Sequence, residues 1–210
     1  MRYEFATAGR IVLGVGAAAE LPALARGIGS WALLVTGAGM QARGGIAAQR
    51  AAELQAAGLV GETRVVAGEP AVADVEAGAA LARHSGCDFI IGIGGGSVLD
   101  TAKAIAALAA NSGGAHNYLE VVGAGRALEQ DALPVVAVPT TAGTGSEVTR
   151  NAVIADPAQQ AKASMRHASM LPRLALVDPE LTLDMPPSVT AWSGLDALTQ
   201  LIEPYVSARA

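Results

Sequence analysis

Short apolar runs alternate with longer, alanine-rich stretches along most of the chain. Ala32-Leu33-Leu34-Val35-Thr36 predicts a strand, and Gly45 to Ala57 a helix ended by Gly58. Arg64-Val65-Val66 reads as a short strand, and Val72 to Arg83 as a helix ended near Gly86. A strand over 88–93, a helix over 97–110 and a strand at Pro134-Val135-Val136-Ala137-Val138, closed by Pro139, follow in turn. Compact apolar runs bounded by turn residues favour buried strands, whereas the longer stretches favour helices. This βαβα order predicts an α/β fold with a doubly wound, mainly parallel, Rossmann-like sheet. Ligands of such sheets bind beyond the carboxyl ends of the strands. The region 151–178 is less regular. Asn151-Ala152-Val153-Ile154 and Arg173-Leu174-Ala175-Leu176-Val177 read as strands at a sheet edge. Pro186-Pro187 interrupts the chain. From Ser188, the expected N-cap, the pattern is helical, with Trp192, Leu195, Leu198, Leu201 and Ile202 at helix spacing.

Candidate chemistry begins at Gly94-Gly95-Gly96-Ser97-Val98-Leu99-Asp100-Thr101-Ala102-Lys103, which follows a buried strand and opens a helix. Glycines let a ligand approach the backbone because no Cβ intervenes. A helix start presents free N–H groups and the positive end of its dipole. Ser97 adds a hydroxyl, and Asp100, one turn in, can accept hydrogen bonds from a sugar hydroxyl. A tight turn that binds nothing is the plainer alternative, but consecutive glycines are costly in backbone entropy. A phosphate cradle is the favoured reading.

Pro139-Thr140-Thr141-Ala142-Gly143-Thr144-Gly145-Ser146-Glu147 lies at a second strand end. Its hydroxyls and N–H groups suit a pyrophosphate, a ribose or a nicotinamide amide. Taken alone, this loop is equally well a polar connection; paired with residues 94–97, it favours a ligand. Asp196 and Gln200 share one helix face. Their spacing permits half a metal site, although an ordinary polar stripe is the weightier reading of spacing alone. His84, His116 and His167 are scattered and receive no role. Lys162 is by default a solvated cation, and a cationic tip beside a phosphate or ribose also fits.

Composition narrows the classes. Hydrophobic residues make up 51% of the 210 residues and charged ones 16%, which suffices for one core, or one domain and part of another. Mean hydropathy is high, at +0.38, yet no apolar stretch of about 18 residues runs free of charge or Gly/Pro breaks. Alanine, valine and leucine in helices and buried strands account for it, as a sheet covered on both faces requires. The net charge of −5, with no basic block, argues against nucleic acid as a partner. Met1-Arg2-Tyr3-Glu4-Phe5 lacks the apolar core of a signal peptide. The single cysteine, Cys87, leaves no internal disulfide and no cysteine-based zinc site, and reads as core. A cytoplasmic protein without membrane contact is expected.

Several stretches together resemble one family, the iron-containing (group III) alcohol dehydrogenases of the dehydroquinate synthase-like superfamily. They are the run 94–103, the loop 139–147, Leu176-Val177-Asp178-Pro179-Glu180-Leu181 and Gly194-Leu195-Asp196-Ala197-Leu198-Thr199. Arg10-Ile11-Val12-Leu13-Gly14-Val15-Gly16 and Gly68-Glu69-Pro70 fit as well. The resemblance implies a dinucleotide-binding α/β domain over 1–185 and, from 186 to 210, the start of an all-helical metal-binding domain. It implies an enzyme that interconverts an alcohol and an aldehyde or ketone by hydride transfer to or from NAD or NADP. A divalent metal, iron-like or zinc, would polarise the alcohol oxygen. Gly94, Gly95, Gly96 and Ser97 would hold the pyrophosphate. Thr140, Thr141 and Thr144 would contact phosphates, ribose and the nicotinamide side. Lys162 matches a family lysine near the cofactor, and Asp196 the first metal ligand.

Three departures bear on this resemblance. Gln200 stands where many members have a ligating histidine, and an amide oxygen is a poorer ligand than imidazole for an iron-like metal. The chain stops at Ala210, just after the first helix of the expected second domain, so it reads as an N-terminal fragment, inactive alone. Gly37 ends the first strand of the sheet, where NAD-preferring members tend to have aspartate. A carboxylate there binds the ribose 2′-hydroxyl and repels a 2′-phosphate, so Gly37 is expected to tolerate NADP. A small-molecule alcohol or carbonyl substrate and a homo-oligomeric full-length protein are the expected partners. A non-catalytic nucleotide-binding module, or a related reductase such as maleylacetate reductase or glycerol dehydrogenase, is the alternative.

Overall fold

Alternate residues of the apolar runs point to opposite faces of a sheet and meet different helices. The computed structural model describes residues 4–207. In chain order its principal elements are β1 (Ile11–Leu13), α1 (Leu21–Arg26), β2 (Ala32–Gly37), α2 (Ala38–Arg43), α3 (Gly45–Ala56), β3 (Val60–Val66), α4 (Val72–His84), β4 (Phe89–Gly94) and α5 (Gly96–Ala110). There follow β5 (Val135–Pro139), β6 (Asn151–Asp156), β7 (Ala161–Arg166), β8 (Leu174–Val177) and α6 (Pro187–Val206). Six strands make one sheet in the order β1-β8-β5-β4-β2-β3. Every pairing in it is parallel.

The core forms on both faces. Leu33, Val35 and Ile90 pack with Val75 of α4 and Ala102 and Ile105 of α5. Leu34, Phe89 and Ile91 pack with Leu21 and Ala25 of α1 and Leu54 of α3. This two-sided burial explains why the central strands are nearly continuous apolar runs. Helix α5 is buried almost all round, and its alanines admit neighbours closely. A Cβ on Gly78 of α4 would come within 2.3 Å of Ile105 Cδ1, so glycine permits that helix–helix approach. Cys87 is buried, as expected.

The α/β, doubly wound reading holds, and the sheet is wholly parallel. Several local expectations change. The short strand at 64–66 is the end of a longer β3 beginning at Val60. Its middle, Gly61-Glu62-Thr63-Arg64, lacks large apolar residues because β3 is an outer strand. The strands expected at an edge near 151 and 174 separate: β6 pairs with β7 in its own antiparallel ladder, while β8 lies inside the main sheet between β1 and β5. Gly37 ends the second strand in sequence, since β1 precedes it. Ser188 is not the N-cap of α6. Pro186 holds that position and Pro187 is the first helical residue, where a missing N–H costs nothing. Pro204 lies inside α6, which runs on to Val206.

Strand order locates a binding crevice. From β2 the chain moves outward to β3, then returns to β4 on the other side and proceeds through β5 to β8. The reversal falls between β2 and β4, and crevices for ligands open at the carboxyl ends of such neighbours. Those ends are Gly37 and Gly94.

A candidate nucleotide groove

At the end of β4 the chain turns through Gly95, the N-cap of α5, with φ −76° and ψ −175° and no side-chain cap. The amides of Val98 and Leu99 both donate to Gly95 O, at 3.0 and 3.1 Å. The preceding amides, of Gly96 and Ser97, belong to the helix start that has no helical acceptor. None of Gly94, Gly95 and Gly96 has positive φ, so their value is room rather than conformation. A Cβ would come within 2.5 Å of Val98 Cγ2 at Gly94, and within 3.1 Å of Thr141 Cγ2 at Gly95. At Gly96 it would meet Thr144 at 3.2 Å.

Loop 139–147 forms the opposite wall. Thr140 N donates to Gly94 O at 2.9 Å, joining the two strand ends. Thr141 Oγ1 is buried and, among the described residues, has no hydrogen-bond partner. An orphaned buried hydroxyl beside a bare helix start is a place where a ligand would supply the missing bond.

Three adjoining hollows run through these walls. One, about 190 Å³, is lined by Gly37, Gly39, Gly44, Gly94, Gly95, Thr140, Thr141, Leu181, Asp184 and Val189, among others. The next shares Gly95 and Thr141 with it, and reaches Ser97, Thr144, Trp192, Ser193 and Asp196. The third shares Gly96, Ser97, Thr144 and Asp196 with the second, and adds Glu69, Asp100 and Gln200. Gly37, residues 94–97, Thr140, Thr141, Thr144, Asp196 and Gln200 therefore border one groove.

Asp196 and Gln200 face that groove from α6. Gln200 Nε2 donates to Asp196 Oδ2 at 2.8 Å and to Gly143 O at 3.2 Å. Gly143 carries φ +134°, and a Cβ there would lie 2.1 Å from Ser193 O. Glycine is thus required where α6 rests on the loop. Among the described residues no three His, Cys, Asp or Glu side chains cluster as a metal site. One carboxylate and one amide make one side of a coordination shell, with hard oxygen donors that suit a divalent cation.

Two of the expected cofactor contacts have partners within the protein. Asp100 is engaged by the protein: Oδ1 accepts from Ser146 Oγ at 2.5 Å, and Oδ2 from Val153 N at 2.9 Å. Lys162, on β7, pairs with Glu69 at 3.0 Å, and both side chains are largely exposed. Glu69 borders the third hollow, so Lys162 stands behind it rather than in it.

Lys103 escaped the sequence reading because lysine is ordinarily a surface residue. It is fully buried. Its Nζ donates to Ser146 O at 2.9 Å, Thr149 Oγ1 at 3.2 Å and Asn151 O at 2.5 Å, and lies 3.1 Å from Asp100 Oδ1. Burial pushes the ammonium below its usual range, and Asp100 opposes that shift. The available signal was its place one turn after Asp100, between alanines of a helix that has no room for solvent.

A family model for iron-containing alcohol dehydrogenases matches residues 8–179. The chain belongs to the iron-containing alcohol dehydrogenase family. It is 45% identical over 142 residues to "Long-chain-alcohol dehydrogenase 1" of Geobacillus thermodenitrificans (strain NG80-2), covering 68% of this chain and 35% of that one. It is 39% identical over 198 residues to "NAD-dependent methanol dehydrogenase" of Bacillus methanolicus, covering 93% and 51%. Among solved structures it matches sulfoacetaldehyde reductase from Bifidobacterium kashiwanohense in complex with NAD+, with TM-score 0.85, 34% identity, and coverage of 97% of this chain and 53% of that one. It matches 1,3-propanediol oxidoreductase with TM-score 0.88, 31% identity, and coverage of 100% and 54%. The chain spans between about a third and a half of the length of these family members.

Proposed function

We propose that this chain is the nucleotide-binding part of an alcohol dehydrogenase that moves hydride between a small alcohol and a nicotinamide dinucleotide. The observation that carries the reading is the run of adjoining hollows from Gly37, past the bare start of α5, to Asp196 and Gln200. A dinucleotide is long, doubly anionic at its centre and uncharged in the adenosine half, and the groove offers matching chemistry in that order.

The pyrophosphate would lie against Gly95, Gly96 and Ser97, where free amides and the α5 dipole stabilise anions. Thr141 Oγ1 would gain the partner it lacks. Thr140 and Thr144 would line the ribose and nicotinamide side, and Lys162 would contribute at longer range. The adenosine half would lie in the hollow at Gly37, where the missing side chain leaves room for NADP as well as NAD. Asp196 and Gln200 would hold a divalent metal, iron-like or zinc, with further ligands from outside the described residues. When bound, such a metal polarises the alcohol oxygen and stabilises the charge that develops as hydride departs. Asp196 supplies the anionic ligand, and its bond from Gln200 fixes its rotamer. We take α6 as the opening of a second, helical domain beginning near 186.

Equilibrium titration with NADH, read by nicotinamide fluorescence, tests the first half of the proposal. Micromolar binding that weakens about tenfold in Thr141→Val, which orphans nothing but removes the hydroxyl, is expected. Failure of the wild-type protein to bind any adenine dinucleotide would end the proposal. The expected result for this chain alone is nucleotide binding without alcohol oxidation, because two ligands do not complete a metal site.

A further inference from the structure

We infer that Asp184 is the residue that reads the 2′-position of the adenosine ribose, replacing the carboxylate that Gly37 lacks and disfavouring a 2′-phosphate. This rests on the reading of the groove as a dinucleotide site. Gly37 and Asp184 border the same hollow of about 190 Å³. Asp184 belongs to the segment between Leu181 and α6 that closes the hollow, and Gly37 ends the strand at its base. Among the described residues that line this hollow, Asp184 is the one with a charged side chain.

Its position is defined by more than proximity. A Cβ on Gly45 would lie 2.6 Å from Asp184 Oδ2, so the carboxylate occupies the space that any side chain at 45 would fill. Gly44 and Gly45 have φ of 68° and 80°, which glycine tolerates and other residues rarely adopt. The carboxylate thus stands over the start of α3, which has no side-chain cap and no acidic residue in its first turn. The helix dipole favours a negative charge there. Among the described residues no hydrogen bond or ion pair engages the Asp184 carboxylate, and a ligand hydroxyl in this hollow would donate to it.

The consequence reverses the expectation drawn from Gly37 alone. A 2′-hydroxyl can donate to this carboxylate. A 2′-phosphate carries about two negative charges into the same hollow and meets a like charge. Space at Gly37 admits the phosphate sterically, whereas Asp184 opposes it electrostatically.

The test compares NADH and NADPH binding by fluorescence titration in the wild-type protein, Asp184→Asn and Asp184→Ala. Wild type is expected to prefer NADH. Asp184→Asn keeps the size and removes the charge, and should shift the NADPH/NADH affinity ratio toward NADPH by about tenfold at low salt. That shift should shrink at 0.5 M salt, where the Debye length falls to about 4 Å. Asp184→Ala should also weaken NADH binding severalfold. If Asp184 only caps α3, both variants lower the melting temperature and leave the ratio unchanged, which overturns the inference. If wild type binds neither nucleotide, the dinucleotide reading itself fails and takes this inference with it.

Discussion

Lys103 Nζ and Asp100 Oδ1 lie 3.1 Å apart on adjacent turns of α5, and each is tied on its other side to the segment 146–153. This pair fastens the loop wall of the groove and the first strand of the hairpin to the helix that carries the phosphate turn. Among the described residues the hairpin pairs with no strand of the main sheet, so these polar bonds help to fix where it sits, together with Ala152, Ile154, Ala163 and Met165 in the core and the bridge from Ala155 to Ala71.

Replacing Lys103 by Met should therefore cost about 3 kcal/mol of stability, because Asp100 and several carbonyls lose their buried partner. Urea unfolding measures it. The pH dependence has a definite sign. The folded-state pKa of Lys103 lies below its unfolded value, so between the two the unfolded chain binds more protons and stability rises with pH. Lys103→Met should lack that alkaline rise.

Gly143→Ala should loosen α6 without unfolding the sheet. The added Cβ would overlap Ser193 O, and φ +134° is strained for alanine, at about 1–3 kcal/mol for the backbone alone. Hydrogen exchange across 187–206 should accelerate by at least about tenfold while the amides of β4 and β5 remain protected. Unchanged exchange in α6 would contradict the contact.

Gly37→Asp should fold normally, since a Cβ there meets Val98 Cγ2 at an ordinary 3.5 Å. A second carboxylate in the adenosine hollow should lower NADPH affinity by about tenfold or more and leave NADH binding equal or tighter. Titration of both nucleotides decides it.

His116 Nε2 lies 2.7 Å from Asp156 Oδ2. That hydrogen bond, together with backbone amides of Gln159 and Ala158, holds the Asp156 carboxyl below its usual range against the opposing effect of burial. The stability it contributes is present above the unfolded carboxylate pKa and is lost as pH falls through the lower folded value. In melting scans below pH 5, Asp156→Asn should show a shallower acid decline than wild type.

Legibility followed the physics of burial. Phe89-Ile90-Ile91 and Val135-Val136 announce central strands because both faces of a parallel sheet exclude water, and Gly94–Ser97 announces a turn that only glycine permits. The order of the strands is set by crossovers far apart in sequence, so nothing near Leu174 marks β8 as an interior strand. Residues 161–166 read as polar because β7 pairs only with β6. Asp100 reads as a group offered to a sugar hydroxyl, and Lys103 carries no reading of its own; the bonds that tie both to Ser146 span more than forty residues. Asp184, between Leu183 and Met185, has no local signature, and its significance comes from Gly45, which it abuts, and from Gly37, which borders the same hollow.

Helix α6 has the build of a lever, with most of its length free of the core. Of its residues only Ser193 is buried, at the contact with Gly143, while Trp192, Leu195, Leu198 and Leu201 are exposed. Gln200 lies seven residues beyond that fulcrum, roughly 10 Å along the axis. A tilt of about 10° about Ser193 would swing Gln200 by roughly 2 Å. The separation between the nucleotide floor and the Asp196–Gln200 pair is therefore set at one loop residue, Gly143, which Ser193 abuts and whose carbonyl accepts from Gln200 Nε2 at 3.2 Å.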